Sequence, residues 1–279
     1  MYEILAKEVL APVTKLFEVR APAVARKALA GQFVIVRIHD EGERIPLTIA
    51  DFDRERGTIT LVFQEVGKST MEMGTMEVGD KMASFTGPLG VPSEIDDYGT
   101  VLCVGGGVGI APIYPIARAL KDAGNTVLSI IGARNKDLLF WEEKMRATSD
   151  ELIVCTDDGS YGRKALVTIP MKELLESDRP VDRIWAIGPA IMMKFCALTG
   201  QPFGVPMEVS LNSIMVDGTG MCGACRVEVG GQTRFVCVDG PEFDGYQVDW
   251  DQLLARQRIY LEQEKQALEK WQHECQCEG

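Results

Sequence analysis

The stretch that decides the fold runs from residue 100 to residue 124 and reads TVLCVGGGVGIAPIYPIARALKDAG. Its apolar start and the glycines that follow predict a buried strand ending in a tight turn. The remainder has the apolar spacing of a helix that closes at Gly124. Residues 98–117 are uncharged and long enough for a membrane span, but their glycines and prolines are unsuited to a lipid-facing helix. We therefore expect the start of an α/β domain and no membrane segment.

Strands and helices continue to alternate downstream of this stretch. Strands are predicted in NTVLSIIGAR, ELIVCTDDGS and DRIWAIGP, and helices in KDLLFWEEKMRAT, LVTIPMKELLES and AIMMKFCALTG. This alternation predicts a parallel sheet with helices on both faces. Cys103 and Cys155 fall in predicted core strands and Cys196 in a predicted helix, so we interpret all three as buried apolar residues.

The upstream part, residues 1–96, consists of short segments with alternating or β-branched side chains, separated by Gly, Pro and charged turns. These segments are KEVLAPVTKLFEVRAP, GQFVIVRIHD, RIPLTIADFD, GTITLVFQEV and DKMASFTGPLG. Their spacing predicts a small antiparallel barrel of six strands.

The part that begins at residue 201 no longer alternates. The segment WDQLLARQRIYLEQEKQALEKWQ contains no Gly or Pro and keeps Leu254, Leu261 and Leu268 at heptad spacing. We expect one amphipathic helix there, packed on the α/β domain or on a partner. The chain is thus predicted to comprise a barrel (1–96), an α/β domain (97–200), a cysteine-containing lobe (201–248) and a C-terminal helix with its tail (249–279).

Composition and charge narrow the class of protein. The 279 residues are 46% hydrophobic and 25% charged, which fits a globular protein of two or three domains. A net charge of −12 makes binding to nucleic acids or anionic membranes unfavourable. The two histidines, His39 and His273, cannot form a multi-histidine metal centre and do not favour histidine-based acid–base catalysis.

The eight cysteines require an explanation. The N-terminus has no secretory signal pattern, so we expect a cytoplasmic protein, in which paired disulfides are rare. The cysteines are then buried thiols, metal ligands, or both. Cys275 and Cys277 lie in a tail that we expect to be frayed, with a metal site completed by a partner as the alternative.

The strongest local motif is Asp217-GTGM-Cys222-GA-Cys225, followed after eleven residues by Cys237. With cysteine in place of Asp217, this would be the plant-type spacing of a 2Fe-2S cluster, C-x4-C-x2-C…C. The glycines free backbone N–H groups to point at the sulfides, and the hairpin RVEVGGQTRFVCV would deliver Cys237. Three thiolates and one carboxylate are also an acceptable zinc set, so a structural zinc site is the alternative.

The glycine-rich turn Gly105–Gly109 suits a phosphate-binding site, because its backbone can approach a pyrophosphate at a helix N-terminus. It is not a clean G-x-G-x-x-G, and a tight strand–helix junction is the alternative. Other strand ends carry Gly132-Ala133-Arg134, TDDGS (156–160) and Gly188-Pro189. Because the carboxyl ends of parallel strands meet at one edge, these loops are expected to converge there.

Two segments of the barrel, RIPLT (44–48) and VGKST (66–70), could each be an ordinary strand edge and turn. In combination with the other motifs, however, residues 3–245 resemble ferredoxin-reductase-like flavoproteins, in particular the electron-transfer subunits of dihydroorotate dehydrogenase. The resemblance implies FAD held by Arg44, Pro46, Leu47, Thr48, Val62, Phe63, Gln64, Gly67, Lys68, Ser69 and Thr70, with Arg44 one position earlier than is usual. It implies NAD(H) held by Gly105, Gly106, Gly107, Gly109, Ala111, Pro112, Asp157, Asp158, Gly159, Gly188 and Pro189.

Asp217 departs from the dihydroorotate group, which has cysteine there. With it, VSLNSIMVDGTGMCGAC resembles the small subunits of NADH-dependent reduced ferredoxin:NADP oxidoreductases. This implies a 2Fe-2S cluster bound by Asp217, Cys222, Cys225 and Cys237. It also implies hydride exchange between NAD(H) and FAD, without a catalytic side chain, and single-electron exchange with a large FAD and 4Fe-4S subunit. The resulting heterodimer would bifurcate electrons and react with ferredoxin.

Two alternatives are kept. One is the electron-transfer subunit of NAD-dependent dihydroorotate dehydrogenase, and the other is a non-catalytic, zinc-stapled nucleotide-binding module. The choice of nicotinamide cofactor rests on Asp157 and Asp158, which would repel the 2′-phosphate of NADP near the expected adenosine side. The positive charges of Arg134 and Arg163 argue in the opposite direction, for NADP. On balance we expect NAD.

Overall fold

The computed structural model describes residues 2–277 of the chain, and their side chains as far as residue 273. The N-terminal elements are β1 (Tyr2–Ala11), β2 (Thr14–Arg20), α1 (Pro22–Ala25), β3 (Phe33–Arg37), β4 (Ile45–Asp53), β5 (Thr58–Gln64), α2 (Lys68–Thr75), β6 (Lys81–Met82) and β7 (Ser84–Leu89). These strands pair antiparallel in the order β6-β1-β2-β5-β4-β3-β7. Only Ala83 separates the two end strands in the chain, so the sheet forms a nearly closed barrel. The predicted six-stranded barrel is confirmed, with the two-residue β6 as an additional strand.

Strand β5 joins the barrel to the rest of the molecule because its two faces enter different cores. Leu61 and Phe63 point into the barrel, where the Phe63 ring meets Phe17 edge-on at 5.0 Å. Val62, between them, packs with Ile110 of the second domain. The period of two along a strand thus places one residue set in each core.

The second part of the chain forms a parallel sheet. Its elements, and those that follow, are β8 (Thr100–Gly106), α3 (Ile110–Asp122), β9 (Thr126–Ala133), α4 (Glu142–Thr148), β10 (Glu151–Thr156), β11 (Arg163–Lys164), α5 (Thr168–Glu176), β12 (Arg183–Ile187), α6 (Ala190–Gly200), β13 (Met207–Ser210), β14 (Arg226–Val229), β15 (Gln232–Phe235), α7 (Val236–Asp239), β16 (Glu242–Asp244), α8 (Trp250–Arg256) and α9 (Leu261–Cys277). The strand order is β11-β10-β9-β8-β12-β13-β16, parallel except for β16. No helix within residues 2–277 has the length and apolar content needed to cross a bilayer.

Helices cover both faces of this sheet, as predicted. Leu102 and Val104 of β8 share a core with Met171 and Met193 of α5 and α6. Val101 and Cys103 share the opposite core with residues of α3. The free thiols of Cys103, Cys155 and Cys196 are buried, which confirms their interpretation as core residues.

The helix predicted in residues 136–148 is wrong in its first half. Residues 136–138 form a single 3-10 turn, and α4 begins only at Glu142. Trp141 has a left-handed backbone with φ of 57°, and its ring packs edge-on against Tyr114 of α3 at 5.4 Å. Packing of this aromatic residue on α3 therefore interrupts a segment whose local pattern is helical.

The second sheet continues past residue 200. Strand β13 pairs with β12, and β16 pairs with β13. The chain between β13 and β16 leaves the sheet and forms the hairpin β14–β15 and the short helix α7. The predicted cysteine-containing loop is thereby attached at both ends to the edge of the α/β sheet.

The single C-terminal helix predicted by the sequence is wrong, because the structure has two. Asp249 caps the start of helix α8, where its carboxylate accepts the N–H of Gln252 at 2.9 Å, and the helix stops where Arg256 binds Ala224 of the cysteine-containing loop and Gln257 binds Asn212. Helix α9 then contacts α2 of the barrel. It extends through Cys277, where a frayed tail was expected. The side chains of Cys275 and Cys277 lie outside the described residues.

Candidate functional site

A cleft of about 280 Å³ lies where the barrel, the α/β sheet and the cysteine-containing segment meet. Its walls are apolar side chains and backbone with a few hydroxyl and amide groups, supplied by Phe33, Pro46, Thr48, Val108, Gly109, Pro112, Ile187, Gly188, Ser210, Leu211, Asn212, Ser213, Met215 and Pro241. Such a lining suits a flat, largely apolar ring system oriented by a few polar groups.

Strand β4 supplies the barrel wall of the cleft by strict alternation. Pro46 and Thr48 face the cleft, whereas Leu47 packs against the barrel core. Pairing of Pro46 with Ile35 and of Thr48 with Phe33 fixes this register. The predicted Pro-Leu-Thr motif therefore lies at the cleft, with the Leu47 side chain turned away from it.

The opposite wall depends on close contact between two turns. A methyl group on Gly109 would lie 2.6 Å from the carbonyl carbon of Ile187 and 2.7 Å from Cα of Gly188. Only glycine permits this approach of the helix α3 start to the end of β12. The predicted residues Gly109, Pro112 and Gly188 are thus brought together at the carboxyl edge of the sheet, as expected for a parallel α/β sheet.

Several predicted flavin residues lie away from the cleft lining. Val62 and Phe63 are buried in the two cores, and Gln64 is half-buried opposite Thr14 of β2. Loop 67–70 forms the start of α2. There the hydroxyl of Thr70 accepts the N–H of Gly67 at 3.2 Å.

Side chains of this loop already have acidic partners. Lys68 pairs with Glu72 at 2.8 Å, and the hydroxyl of Ser69 donates to the carboxylate of Glu43. To hold a flavin phosphate, Ser69 and Lys68 would exchange these carboxylates for phosphate oxygens. The loop thus has the donors that an anion requires, in a conformation closed by local contacts.

Arg44 makes two hydrogen bonds that the sequence did not predict. Its Nε donates to the carbonyl of Val216 at 2.9 Å and its guanidinium also donates to the carbonyl of Asp217 at 3.2 Å. Both partners lie more than 170 residues away in the chain. Arg44 therefore ties the barrel to the cysteine-containing loop, and its contact with a flavin phosphate stays a prediction.

The predicted Asp157–Gly159 loop lies at the same edge of the sheet but outside the cleft lining. It follows β10, which β9 and β8 separate from β12. The Asp158 carboxylate accepts both the hydroxyl and the N–H of Ser160, and these bonds hold its pKa below the usual value. An ionised carboxylate is therefore fixed at the same edge of the sheet as the cleft, beyond the ends of β8 and β9.

Sequence reasoning missed a third wall of the cleft. Residues 210–213 and Met215 line it, together with Phe33 and Pro241. The available signal was that this segment directly follows the apolar strand β13, whose carboxyl end must lie at the same edge as those of β8 and β12. The same segment continues into Asp217, so the cleft and the cysteine-containing loop are contiguous.

The four predicted metal ligands lie on one loop and the end of one hairpin. Strands β14 and β15 pair through a Gly230–Gly231 turn with both φ values positive, and α7 then carries Cys237. The sulfur atoms of Cys225 and Cys237 are 3.2 Å apart and buried. The predicted hairpin thus delivers Cys237 to the loop.

Backbone N–H groups act on the thiols of two of the three cysteines. The N–H of Ala224 and that of Asp217 donate to the sulfur of exposed Cys222 and lower the pKa of its thiol. Burial and the bond to Cys225 raise the pKa of Cys237 to about 12, against an opposing bond from the N–H of Gly220. The loop is therefore folded with its N–H groups toward sulfur.

Asp217 is held by its own loop. Its carboxylate accepts the hydroxyl of Thr219 at 2.5 Å, the N–H of Thr219 at 2.9 Å and the N–H of Met221 at 3.2 Å, which lower its pKa. Within the described residues, no three thiol, carboxylate or imidazole groups converge closely enough for a single metal ion. Three thiols, one ionised carboxylate and inward N–H groups fit a two-iron cluster, whose ligands are spread over two metal atoms.

A carboxylate network supports the cleft from behind. Glu242, next to the cleft residue Pro241, accepts the hydroxyl of Ser93 at 2.5 Å and the indole N–H of buried Trp185 at 3.2 Å. Burial raises the pKa of Glu242 to about 7 despite these two bonds. Glu208 raises it further and Arg183 opposes the rise.

Residues 212–249 match a known family, the iron–sulfur cluster binding domain of dihydroorotate dehydrogenase B. The match contains Asp217 and the three cysteines of the loop and hairpin, and it ends where α8 begins. The matched segment thus contains the thiols, the carboxylate and the backbone N–H donors described above.

Similarity to curated proteins extends over nearly the whole chain. A Thermotoga maritima protein, described as a homologue of the electron-transfer subunit of dihydroorotate dehydrogenase B (NAD+), is 54% identical over 269 residues, which are 96% of this chain and 95% of that protein. The electron-transfer subunit of dihydroorotate dehydrogenase B from Desulforamulus reducens is 34% identical over 257 residues, covering 89% and 97%.

Solved structures show the same relationship. A chain in a structure of NADH-dependent reduced ferredoxin–NADP oxidoreductase, studied for flavin-based electron bifurcation, has a TM-score of 0.93 and 52% identity, covering 97% of this chain and 98% of that one. Phthalate dioxygenase reductase, at 17% identity and a TM-score of 0.58 over 87% of this chain and 94% of that one, shares the fold.

Proposed function

Because this chain belongs to the family of dihydroorotate dehydrogenase B electron-transfer subunits and their homologues, we propose that it is the small subunit of an NADH-dependent reduced ferredoxin–NADP oxidoreductase. It is an oxidoreductase subunit with an iron–sulfur domain, and its cofactors are FAD, a 2Fe-2S cluster and NAD(H). The observation that carries the proposal is continuity: residues 210–213 and Met215 line the cleft, and the cluster loop begins two residues later at Asp217.

The division of labour between cofactors and protein follows from the chemistry. When bound, FAD exchanges a hydride with the nicotinamide and single electrons with iron–sulfur centres, so the chain itself has to supply position and environment. No histidine lies among the cleft-lining residues, in keeping with a reaction that needs no side-chain base.

The chain's residues hold the two cofactors against one another. Pro46, Thr48 and Met215 provide apolar and hydroxyl contacts on one side, and the backbone of Gly109 and Gly188 permits close approach on the other. The apolar walls exclude water from the reacting atoms, which protects a hydride transfer from competing protons.

The position of the cluster loop supports an electron-transfer partner outside this chain. Cys222 and its neighbour Met221, which is 86% exposed, lie at the surface. A partner that docks over them approaches the cluster directly. We propose that the partner is a large subunit with FAD and 4Fe-4S clusters that reacts with NADPH and ferredoxin, in a cytoplasmic heterodimer.

Asp217 supports this assignment over the dihydroorotate alternative. It occupies the first ligand position, where the dihydroorotate group has cysteine, and a carboxylate supplies there the same single negative charge as a thiolate. The second candidate, the electron-transfer subunit of dihydroorotate dehydrogenase, is favoured by the names of the relatives at 54% and 34% identity.

Anaerobic purification of the native complex tests the proposal. We expect FAD, iron and acid-labile sulfide in this chain, and a co-purifying subunit with its own flavin and iron–sulfur clusters. Co-purification of a dihydroorotate-oxidising barrel subunit would establish the second candidate instead. A colourless preparation that contains zinc and no iron would exclude both and leave the zinc-stapled module.

A further inference from the structure

Asn212, on the third wall of the cleft, is held by a residue at the end of α8. The side-chain Nε2 of Gln257 donates to the backbone carbonyl of Asn212 at 2.8 Å and to its side-chain Oδ1 at 2.9 Å. Asn212 lines the cleft, whereas Gln257 lies outside the set of described residues that line it. Gln257 therefore binds Asn212 from outside the cleft.

These two bonds determine the orientation of the Asn212 amide. A backbone carbonyl only accepts hydrogen bonds, so the group of Gln257 that faces it is the NH2 group. The same NH2 group also reaches the side chain of Asn212, where it requires the oxygen atom Oδ1. The NH2 group of Asn212 is consequently at the end of the amide that points away from Gln257.

This NH2 group is accessible from the cleft. Leu211 is buried and its N–H donates to the carbonyl of Pro241 at 2.9 Å, which leaves the next residue, Asn212, on the exposed side. Among residues 2–273, no acceptor is found for the Asn212 NH2 group. The part of Asn212 that remains for an occupant of the cleft is therefore a pair of N–H donors.

Asn212 differs in this respect from the rest of the cleft lining. The other polar side chains among the described lining residues are the hydroxyls of Thr48, Ser210 and Ser213, which can donate or accept. No carboxylate or cationic side chain belongs to this described lining. Asn212 is thus the lining side chain at which an occupant has to present an acceptor.

We propose that Asn212 donates a hydrogen bond through its NH2 group to a carbonyl oxygen of the ring system bound in the cleft, and that Gln257 is the positioning residue for this donor. The inference rests on the proposed function, which brings FAD and the nicotinamide of NAD(H) to the cleft. Both rings carry such an oxygen, the nicotinamide in its carboxamide and the flavin in its pyrimidine ring. We expect the carboxamide as the acceptor, because β13, which leads into Asn212, pairs with β12, which leads into Gly188 of the predicted nicotinamide wall.

The contact with Gln257 matters because an asparagine that is not held can turn either end of its amide toward the cleft. In the reversed orientation Oδ1 would face the carbonyl oxygen of the ring, and two acceptors do not bond to each other. Gln257 disfavours that orientation before the ring binds, so less side-chain freedom is lost on binding. The end of α8 thereby acquires a role in the cleft, since Gln257 directly follows that helix.

The test uses the full chain loaded with FAD and measures NAD+ binding by calorimetry and the midpoint potential of FAD by optical titration. Asn212→Ala removes the NH2 group but leaves the bond from Gln257 to the backbone carbonyl, so the wall stays anchored. We expect this variant to bind NAD+ about two- to tenfold more weakly, with an unchanged flavin potential. Unchanged NAD+ binding with a flavin that is harder to reduce, by up to about tenfold or about 30 mV for two electrons, would instead support the proposal with the flavin carbonyl as acceptor. No change in either quantity would overturn the proposal.

Variants of Gln257 test the positioning role separately. Gln257→Ala should change the same quantity as Asn212→Ala by a smaller factor, and Gln257→Lys, which keeps a donor for the two oxygen atoms, should restore it toward the wild-type value. Gln252→Ala removes a different hydrogen bond from α8, to Glu228 at 3.2 Å, and is the matched control that should change neither quantity. An effect of Asn212→Ala without any effect of Gln257→Ala would overturn the role of Gln257.

Loss of FAD and failure of the proposed function are distinguishable from failure of this inference. Should Asn212→Ala not retain FAD, the two Gln257 variants decide by the same criterion. A wild-type chain that binds neither FAD nor NAD+ would overturn the proposed function itself. A wild type that binds both, with variants that behave identically to it, would overturn only the role of Asn212 and Gln257.

Discussion

Replacement of Glu242 by glutamine should change how the stability of this protein depends on pH. The Glu242 carboxylate lies between Ser93 and buried Trp185, and its pKa in the folded chain is about 7, compared with 4.5 for an ordinary glutamate. Between these two pH values the folded chain keeps a proton that the unfolded chain has released. The contribution of this group to the stability is therefore fully present below about pH 4.5, and that contribution is lost as the pH rises through about 7.

The magnitude follows from the two pKa values. Integration of the proton-binding difference from pH 5 to pH 8 gives a loss of up to about 2.5 kcal/mol in the free energy of unfolding. At roughly 2 °C per kcal/mol for a chain of this size, that corresponds to about 5 °C in the unfolding midpoint. Glu242→Gln removes the titration and one acceptor, and the loss of the acceptor costs about 1 kcal/mol at every pH.

Thermal unfolding of wild type and variant across pH 5–8 is the assay. We expect the variant to be less stable than the wild type at pH 5 and to gain on it by about 5 °C by pH 8. Glu8→Gln makes the same substitution at an exposed position of β1 and serves as the control. Parallel curves for wild type and Glu242→Gln over the whole range would refute the reasoning.

Three further outcomes follow from the site. Gly109→Ala should destabilise the protein by about 1–3 kcal/mol and impair nicotinamide binding, because the new methyl group meets backbone at Ile187. Calorimetry and NADH titration measure these effects, and Gly67→Ala, which adds a methyl group in open space, is the control. A thermal unfolding midpoint of Gly109→Ala no lower than that of Gly67→Ala would contradict the prediction. Asp217→Ser should lose or destabilise the cluster and keep FAD, so an unchanged iron content and electron paramagnetic resonance spectrum would remove Asp217 from the ligand set. NADH should reduce the flavin with at least about tenfold higher efficiency than NADPH, a difference of ~1.4 kcal/mol. Asp158→Ala should narrow this preference. A preference for NADPH in stopped-flow reduction would contradict the predicted repulsion.

Much of the fold could be predicted because its signals are local. The strand–turn–helix at 100–124 and the alternation after it follow from apolar periodicity, and the structure reproduces them as β8, α3 and the elements downstream. The hairpin was equally predictable from the Gly230–Gly231 pair, because its turn requires two positive φ values, which glycine adopts readily. Signals of this kind require only neighbouring residues.

The failures concern residues whose partners are distant in the chain. Nothing near Arg44 indicates that its guanidinium binds Val216 and Asp217, and family resemblance alone suggested a flavin phosphate. The break between α8 and α9 has no Gly or Pro to mark it, because it is set by the contacts of Arg256 with Ala224 of the cluster loop and of Gln257 with Asn212 of the cleft wall. Likewise, Trp141 interrupts a helical pattern by packing on α3. Tertiary contacts overrode local preference in all three cases.

The candidate site was predictable in its chemistry and less so in its walls. Spacing singled out Asp217, Cys222, Cys225 and Cys237 as candidate metal ligands, and family resemblance assigned them to a 2Fe-2S cluster, a prediction that the loop geometry fits. Residues 210–213 and Met215, which line the cleft, were assigned no role there from the sequence, and that role emerges only when β13 is placed at the edge of the sheet. Side-chain direction along β4 and β5 likewise required the register of the barrel.

The most direct test of the account is anaerobic titration of the purified holoprotein with NADH, followed by optical and electron paramagnetic resonance spectroscopy. The account predicts that NADH bleaches the flavin absorbance and generates the signal of a reduced 2Fe-2S cluster in this chain. The contrary result is that NADH reduces the flavin while the cluster is reduced only by a strong chemical reductant. It would contradict the continuity of cleft and cluster loop. Absence of both chromophores would contradict electron transfer altogether.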